Sequence, residues 1–507
     1  MPDLMHDALQ RAAERFGDRD AVLAGDERWS FRDLDDASTG FGRHLRSRGV
    51  RRGDRVAMMT SNRPEFVVAI HGVSKIGAAA VLLSPAWKAV ETSHALELTG
   101  PVHAVADGPA VGLLGDLLGE GHVTDLDHPE PSDVADATRS EPAVLDVSID
   151  DGDEVVLVFS SGTTGLPKAV RHTHRSMGCA TADWCATLGL GPDDRFQVAT
   201  PPSHILGLLN LLAAASAGAT VRLHRRFDLD EVLSRIETER MTLEMAVAPI
   251  ALAMANHPDL ERYDLSSLRY IMWGATPVSE HVARVVTERT GVRWLPAYGA
   301  SEVPVIAGNP VGDPGSWRLD SAGLAPEGVE LRVADLVTGE VLAPGGVGEI
   351  QVSSPSVMAG YLPEEDSAGA FADGWYRTGD VGWLEPGGWV HLTDRSKEMI
   401  KVNGFQVAPA EVEEVLRSHP SVLDCAVFGL ADERAGEVPV AVVQVDPDRP
   451  ATAEEIQELV AGSLATYKQV RHVVFVDAIP RLPSGKVLRR TLRDEWTPVL
   501  SAPDRHA

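Results

Sequence analysis

The alternation of strand and helix patterns along the first 300 residues is the feature that most constrains the fold. Residues 54–85, DRVAMMTSNRPEFVVAIHGVSKIGAAAVLLSP, start with a strand pattern, continue with helical spacing of apolar residues and end in a second strand pattern. This order is a βαβ unit, which places its two strands parallel in one sheet. A second series of such units is predicted from Val155 to about Ala300. The pattern therefore indicates an α/β fold.

The pattern changes in the second half of the chain. After Ala300, short apolar segments such as GVELRVAD and GEIQVSS are separated by Gly and Pro, which predicts a small β-rich subdomain. From about Asp394, helix and strand patterns alternate over a length that suits a small α+β domain. Because 507 residues exceed what one hydrophobic core supports, we expect a large N-terminal domain of layered βαβ sheets with this subdomain, and a small C-terminal domain.

Charge and cysteine content exclude several classes of protein. The chain has 46 Lys and Arg against 74 Asp and Glu, a formal net charge of −28, which repels nucleic acid. Its three cysteines, Cys179, Cys185 and Cys425, indicate reduced thiols and no disulfide framework. The first residues contain no apolar run of signal-peptide length, and the uncharged run 205–221 favours a buried helix over a membrane span. We therefore expect a cytoplasmic protein without a nucleic-acid partner or a membrane span.

The stretch EVVLVFSSGTTGLPKAVRHTH, residues 154–174, joins an apolar strand to a loop of Ser, Thr and Gly and then to a lysine. Glycines allow a tight turn whose successive amides form an anion site, and the hydroxyl groups add donors. The loop therefore suits phosphate oxygens, although Pro167 before Lys168 distinguishes it from a Walker A loop. The following RHTHR run, residues 171–175, is expected to be a solvated segment, partly facing phosphate.

Four further motifs accompany this loop. They are YGASE at 298–302, YRTGD at 376–380, DRSKEMIKVNGFQV at 394–407 and PSGK at 483–486. In this order and spacing the five motifs resemble the adenylate-forming superfamily, which includes acyl-CoA synthetases, 4-coumarate-CoA ligases, peptide-synthetase adenylation domains and luciferases. The KVNGFQVAPAEVE segment looks most like the branch of 4-coumarate and medium-chain acyl-CoA ligases.

The resemblance implies an ATP-dependent acid-CoA ligase with ATP, Mg²⁺ and coenzyme A as cofactors. A thiol cannot displace oxide from a carboxylate, so the acid first attacks the ATP α-phosphate to form an acyl-adenylate, and catalysis is mostly positioning and charge neutralisation. The cofactor-binding residues implied by the family are Ser160, Ser161, Gly162, Thr163, Thr164, Gly165, Lys168, Gly274, Ala275, Thr276, Tyr298, Asp380, Arg395, Lys401, Gly404 and Gln406.

Individual roles also follow from the resemblance. Lys486 would lie between the substrate carboxylate and the α-phosphate, and Ser301 would contact the α-phosphate. Glu302 would help to hold Mg²⁺, a hard cation that prefers carboxylate and phosphate oxygens. Asp380 would accept both ribose hydroxyls, with Arg395 nearby.

The acyl pocket implied by the resemblance is apolar. In PPSHILGL, residues 201–208, His204 occupies the position that borders the acyl group, and it is also a candidate catalytic residue. Amino-acid-activating domains usually carry an aspartate there, so an amino acid substrate is disfavoured; a buried structural histidine is the alternative reading. We expect a hydrophobic carboxylic acid in a pocket formed by His204, Trp273, Gly274, Ala297, Val303 and Ile306.

Members of the superfamily rotate the C-terminal domain between the two half-reactions. The hinge would be Lys397, which divides the chain into an N-terminal domain, residues 1–396, and a mobile C-terminal domain, residues 397–507, that carries Lys486. Gly404 would line the approach of the thiol, where the lack of a side chain lets the backbone pass closely.

Three positions depart from the family pattern. Ala169 follows Lys168 where Gly is usual, and we expect that its methyl group could crowd the pyrophosphate. Ser301 replaces Thr but keeps the hydroxyl, while Pro296 and Ala297 replace the usual Gln-Gly and would reshape the pocket wall.

Several alternatives stay open from the sequence. An acid-AMP ligase that loads the phosphopantetheine of a carrier protein would use the same thiol tunnel, and Ala169 would suit a ligase specialised for thioesterification of a preformed acyl-adenylate. A luciferase-like oxygenase and a non-catalytic nucleotide-binding protein are more distant. A homodimer is expected from the family alone.

Overall fold

The computed structural model describes residues 4–128, 145, 147–160, 167–274, 279–403, 405–432, 434–482 and 485–500. Eight of the predicted site residues lie outside these ranges: Ser161, Gly162, Thr163, Thr164, Gly165, Ala275, Thr276 and Gly404.

Helices are distributed along the whole chain. Within the described residues they are α1 (Asp7–Phe16), α2 (Phe31–Ser47), α3 (Pro64–Lys75), α4 (Ala89–Thr99), α5 (Pro109–Leu118), α6 (His174–Leu188), α7 (Ile205–Ala217), α8 (Leu229–Glu239), α9 (Ala248–Ala255), α10 (Glu280–Thr290), α11 (Pro409–Arg417), α12 (Ala453–Ser463) and α13 (Arg489–Leu500).

Strands alternate with these helices in the first half and predominate after residue 300. They are β1 (Asp20–Ala24), β2 (Glu27–Ser30), β3 (Arg55–Met59), β4 (Ala79–Leu82), β5 (His103–Ala106), β6 (Val123–Asp125), β7 (Glu154–Ser160), β8 (Lys168–Thr173), β9 (Arg195–Val198), β10 (Thr220–Leu223), β11 (Leu243–Ala246), β12 (Tyr270–Trp273), β13 (Trp294–Tyr298), β14 (Ala307–Gly308), β15 (Glu330–Ala334), β16 (Gly348–Ser353), β17 (Gly360–Leu362), β18 (Phe371–Ala372), β19 (Trp375–Leu384), β20 (Val390–Arg395), β21 (Ile400–Val402), β22 (Phe405–Val407), β23 (Val422–Asp432), β24 (Gly436–Val445) and β25 (His472–Phe475).

The βαβ unit predicted at residues 54–85 is confirmed. It consists of β3, α3 and β4, and the two strands pair in parallel with Arg55 opposite Ala79. Pro64 occupies the first turn of α3, where its missing N–H costs no hydrogen bond. This helix is apolar all round because it packs on α2 as well as on the sheet.

The second predicted series of βαβ units does not form a sheet of its own. Strands β7 and β8 instead join the first unit in a seven-stranded sheet of order β17-β8-β7-β4-β3-β5-β6. Strands β9 and β10 pair with β1 and β2, and β11 to β14 form a separate four-stranded sheet. Hydrophobic periodicity identifies strands but not their partners, so the sequence left open how these strands divide among sheets.

The run 205–221 contains the buried helix that was predicted. His204 caps α7 by accepting the N–H of Leu206 at 3.3 Å, and Gly218 ends the helix in a left-handed conformation with φ of +73°. No helix among the described residues is both long and apolar enough to cross a bilayer.

The RHTHR run is not a solvated segment, contrary to our expectation. His172 and His174 are both fully buried, and burial lowers the pKa of each imidazole to about 4. His172 lies on β8, whose side chains alternate between the sheet faces, and His174 starts α6. Arg171 and Thr173 are partly exposed, and Arg175 is exposed.

The β-rich subdomain and the C-terminal α+β unit are both present. Strands β15, β16, β18, β19 and β20 form an antiparallel sheet, whereas β21 to β25 form a five-stranded sheet. Helices α11 and α12 cover one face of the C-terminal sheet, and α13 packs near β23 against the other apolar cluster.

Candidate active site

A cavity of about 800 Å³ lies where the central sheet, the β-rich subdomain and the C-terminal unit meet. Its walls come partly from loops that follow strands, the usual position of binding residues in α/β proteins, and partly from α6, α7, β16 and β19. Predicted site residues that line it are Ser160, Lys168, His204, Gly274, Ala297, Tyr298, Ser301, Glu302, Arg395, Lys397 and Lys486. Tyr376, Arg377, Thr378 and Gly379 of the YRTGD motif also line it, so the structure brings residues from all five motifs together.

A buried carboxylate, Asp380, lies behind the cavity wall, in contact with the lining residues Tyr298 and Arg395. Its Oδ2 accepts the hydroxyl of Tyr298 at 2.6 Å, and its Oδ1 lies 3.0 Å from Nε of Arg395. The pairing of β19 with β20 sets Asp380 opposite Arg395, and Gly379 next to it has a φ of +71° that favours glycine. The carboxylate raises the pKa of Arg395 and, together with burial, that of Tyr298.

Ser301 and Glu302 lie on the loop after β13, which is fixed from two sides. The ring of His172 donates through Nε2 to the backbone carbonyl of Ser301 at 2.8 Å, and Met358 N–H donates to the carbonyl of Glu302 at 2.8 Å. The Glu302 side chain accepts the Tyr361 hydroxyl through Oε1 at 2.9 Å. These contacts orient a carboxylate toward the cavity.

Lys168 is the first residue of β8 and lies at the edge of the cavity. Its Nζ is 3.3 Å from Oδ2 of Asp366 and 5.2 Å from the ring centroid of Tyr361. Asp366 is partly exposed and Tyr361 lines the cavity. The ammonium group of Lys168 can therefore leave Asp366 and bind another anion.

Lys486 enters the cavity from the C-terminal unit on a small hairpin. Leu482 N–H donates to the carbonyl of Lys486 at 2.8 Å. The Arg481 guanidinium donates to the carbonyl of Gly485 at 2.7 Å and to the two carboxylate oxygens of Asp424 at 3.0 and 2.8 Å. Burial lowers the pKa of Lys486 to about 8, with a further contribution from the positive charge of Arg395. A buried amine beside an arginine is poised to bind anions.

His204 and several apolar side chains form the opposite wall. Because Nδ1 accepts the Leu206 N–H and burial lowers the pKa to about 4, the imidazole is neutral with its proton on Nε2. The apolar lining residues on this side are Leu82, Trp184, Pro201, Ile205, Leu206, Leu209, Ala297 and Pro304.

Three residues predicted to line the acyl pocket do not line this cavity. Trp273 packs against Trp294 with ring centroids 5.1 Å apart in an apolar core, and Val303 and Ile306 are fully buried in the main core. The family resemblance suggested them, but their side chains are buried in the protein interior.

Two residues predicted to bind cofactor lie elsewhere in this conformation. Lys401 and Gln406 pair across the hairpin of β21 and β22, both are exposed, and neither lines the cavity. Phe405 of the same hairpin stacks on Tyr467 with centroids 4.6 Å apart.

Polar or aromatic cavity residues that the sequence reasoning missed include four of interest: Trp184, Glu349, Tyr361 and Arg377. The Glu349 carboxylate accepts hydrogen bonds from Arg377 Nε at 2.8 Å and from the Gly379 N–H at 3.2 Å. These bonds fix the backbone just before Asp380. Arg377 belongs to the YRTGD motif, whereas Trp184, Glu349 and Tyr361 lie outside the five motifs.

Comparisons with known proteins agree with this geometry. The sequence model described as AMP-binding enzyme matches residues 9–362, and the AMP-binding enzyme C-terminal domain matches residues 411–486. The chain is 36% identical over 477 residues to 4-coumarate–CoA ligase 2 of Oryza sativa subsp. japonica, covering 88% of this chain and 84% of that protein.

Two solved structures share the fold over nearly the whole chain. The anthranilate CoA ligase AuaEII in complex with anthranoyl-AMP is 26% identical, with a TM-score of 0.91 and 98% of each chain covered. The amide bond synthetase McbA from Marinactinospora thermotolerans is 30% identical, with a TM-score of 0.88, 97% of this chain and 99% of that chain covered. The chain therefore belongs to the AMP-binding enzymes of the adenylate-forming superfamily.

Proposed function

We propose that the protein is an ATP-dependent acid-CoA ligase that acts on a hydrophobic carboxylic acid. A carboxylate oxygen attacks the α-phosphate of ATP, and the bond to the β-phosphate breaks to release pyrophosphate. The CoA thiolate then attacks the carbonyl of the acyl-adenylate, and AMP leaves with the electron pair of the broken acyl–oxygen bond.

The proposal rests on Lys168 and Lys486, which line one cavity, and on Asp380, which contacts the lining residues Tyr298 and Arg395. Asp380, held by Tyr298 and Arg395, suits both ribose hydroxyls because an ionised carboxylate accepts two hydrogen bonds. Lys168 suits the terminal phosphates. Lys486 suits the point where two anions meet, since its charge reduces their repulsion.

Glu302 fits the role of a Mg²⁺ ligand. Its carboxylate is mostly buried beside the cavity, and the Tyr361 hydroxyl occupies Oε1 only, which leaves the second oxygen for a cation. No group of three His, Cys, Asp or Glu residues suited to a metal occurs in the described part of the chain, so the phosphates would supply further oxygen ligands. The cation would neutralise phosphate charge.

The acid is proposed to lie against the apolar wall beside His204. The neutral imidazole offers a hydrogen-bond donor but no charge, and Trp184, Leu206 and Leu209 present apolar surface. Relatives named 4-coumarate–CoA ligase and anthranilate CoA ligase act on acids with an aromatic ring, which makes aryl acids the first class to test.

Acid-dependent exchange of pyrophosphate into ATP tests the first half-reaction. We expect exchange with at least one member of a panel of aryl, fatty, alicyclic and terpenoid acids, and loss of about 100-fold or more in Lys486→Ala, which removes the bridging charge. Exchange that is absent for every acid, together with no thioester from synthetic acyl-adenylates and CoA, would disprove the proposal.

The thiol acceptor is tested separately. With the acid that gives the strongest exchange, we expect CoA to be acylated faster than a holo carrier protein. The reverse order would replace the proposal by an acid-AMP ligase that loads a carrier protein. A cytoplasmic location and a homodimer stay predictions from the sequence.

A further inference from the structure

We propose that Tyr361 is a positioning residue that holds both Glu302 and Lys168 in the geometry required for ATP and its cation. The inference rests on the proposed function, since it assigns these two partners to the phosphates and to Mg²⁺. It adds a residue outside the five motifs, and its role depends on two different parts of one side chain.

The hydroxyl group of Tyr361 contacts the carboxylate. Its oxygen donates to Glu302 Oε1 at 2.9 Å and lies 3.5 Å from the Tyr376 hydroxyl. Because the single Tyr361 proton goes to the carboxylate, Tyr376 is the donor in the second contact. A chain of two hydroxyls therefore ends on Glu302, and each bond polarises the next.

The ring of Tyr361 contacts the lysine. The Nζ atom of Lys168 lies 5.2 Å from the ring centroid, within the range of a cation–π interaction. Asp366 supplies a second contact at 3.3 Å with a partly exposed side chain. Since the ring does not neutralise the charge, Lys168 can leave Asp366 for a phosphate and remain over Tyr361.

The backbone around Tyr361 is anchored to both of its partners. Strand β17 pairs with β8, with Tyr361 opposite Val170, two residues from Lys168. Tyr361 N–H donates to Ser367 Oγ at 2.8 Å, and three residues earlier Met358 N–H donates to the carbonyl of Glu302. The side chain is only 9% exposed, so its position is set by packing.

Two substitutions separate the two contacts. Tyr361→Phe removes the hydroxyl and keeps the ring, whereas Tyr361→Leu removes both. ATP binding, measured by calorimetry in EDTA and across a Mg²⁺ titration, reports on each partner without requiring turnover. The thermal unfolding midpoint of each variant, measured without ligand, shows whether the fold is retained.

We expect Tyr361→Phe to raise the Mg²⁺ concentration for half-maximal enhancement of ATP binding about tenfold, because Glu302 loses a charge-assisted hydrogen bond. Its affinity for ATP in EDTA should equal that of the parent. We expect Tyr361→Leu to show the same Mg²⁺ effect and, in addition, about threefold weaker ATP binding in EDTA, because Lys168 loses the ring.

Tyr263→Phe is the matched control. Tyr263 also donates its hydroxyl to a carboxylate, Asp230, at 2.7 Å, but this exposed pair lies outside the residues that line the cavity. The control should bind ATP and Mg²⁺ as the parent does. If the control shows the same Mg²⁺ effect as Tyr361→Phe, the assignment is wrong.

The outcomes distinguish this inference from the proposed function. If the parent binds no ATP, the proposed function fails and the inference fails with it. If the parent binds ATP but Tyr361→Phe has an unchanged Mg²⁺ dependence, only the role of the hydroxyl is disproved. If Phe and Leu variants are equal in EDTA, the role of the ring is disproved.

Discussion

The charge state of Lys486 is governed by its surroundings at the cavity. Its amine is buried, and Arg395 and Lys397 add positive charge nearby, so the ammonium form is disfavoured relative to water. The carboxylates of Glu398 and Asp380 oppose this effect only in part. A pKa of about 8 leaves the residue mostly protonated at pH 7 and neutral at high pH.

We therefore predict that kcat/KM for acyl-adenylate formation falls as pH rises through about 8, approaching tenfold per pH unit. The sign follows because the protonated amine supplies the bridging charge, and deprotonation removes it. Stopped-flow or exchange kinetics between pH 6 and 10 would measure the profile. Lys486→Arg should be slower but lack this decline, since guanidinium stays charged. A shared decline in both proteins would contradict the assignment.

Sequence motifs identified the charged residues of the site but not those that hold them. Glu302, Asp380 and Lys486 are found in short motifs with a known chemistry, so their convergence could be predicted. His172 and Tyr361 each hydrogen-bond to a segment distant in sequence, and such contacts leave no periodic signal. The direction of Val303 and Ile306 depends on the local turn of the loop after β13, which the motif does not specify.

At the level of elements, strand β8 shows why one unusual residue does not obstruct the cavity. Ala169 follows Lys168 directly, yet its side chain is fully buried in an apolar core with Leu157 and does not line the cavity. In the sheet it lies opposite Phe159 and Leu362. Alternation along the strand points neighbouring side chains to opposite faces, so the methyl group faces away from Lys168.

We predict that Ala169→Gly does not increase acid-dependent pyrophosphate exchange. It should instead lower the free energy of unfolding by about 1–2 kcal/mol, because a buried methyl group is lost and glycine is unfavourable in a strand. Urea denaturation and exchange assays would measure both effects. Ala104→Gly, in β5 of the same core, is the matched control and should behave alike. If pyrophosphate exchange rises several-fold in Ala169→Gly but not in Ala104→Gly, the Ala169 methyl group does crowd the pyrophosphate.

Element types could be predicted better than element partners. The helix of the 205–221 run and the βαβ unit at 54–85 have periodic patterns long enough to identify. Strand β7 pairs with β4, which is far away in sequence. A single sequence contains no local pattern that identifies such a distant strand partner. Strands β7 and β8 pair antiparallel, and the sequence pattern does not distinguish this pair from the βαβ units that follow it.

At the scale of the whole molecule, the C-terminal unit presents one surface to the cavity and another away from it. Lys486 lines the cavity, while the hairpin of Lys401 and Gln406 is exposed elsewhere. The family resemblance implicates both surfaces, so we propose that this arrangement serves adenylation and that a second one serves the thiol. Lys397 lies between β20 and β21, the connection at which the two arrangements would interconvert.

We predict that Lys397→Pro separates the two half-reactions. Proline fixes φ near −65° and so restricts the rotation that a hinge requires. Acid-dependent exchange should stay within about threefold of Lys397→Ala, whereas thioester formation from a synthetic acyl-adenylate and CoA should fall about tenfold or more. The alanine variant controls for the lost ammonium group, which also lines the cavity. If proline and alanine variants catalyse both half-reactions equally, Lys397 is not the hinge, and the boundary between residues 396 and 397 has to be moved.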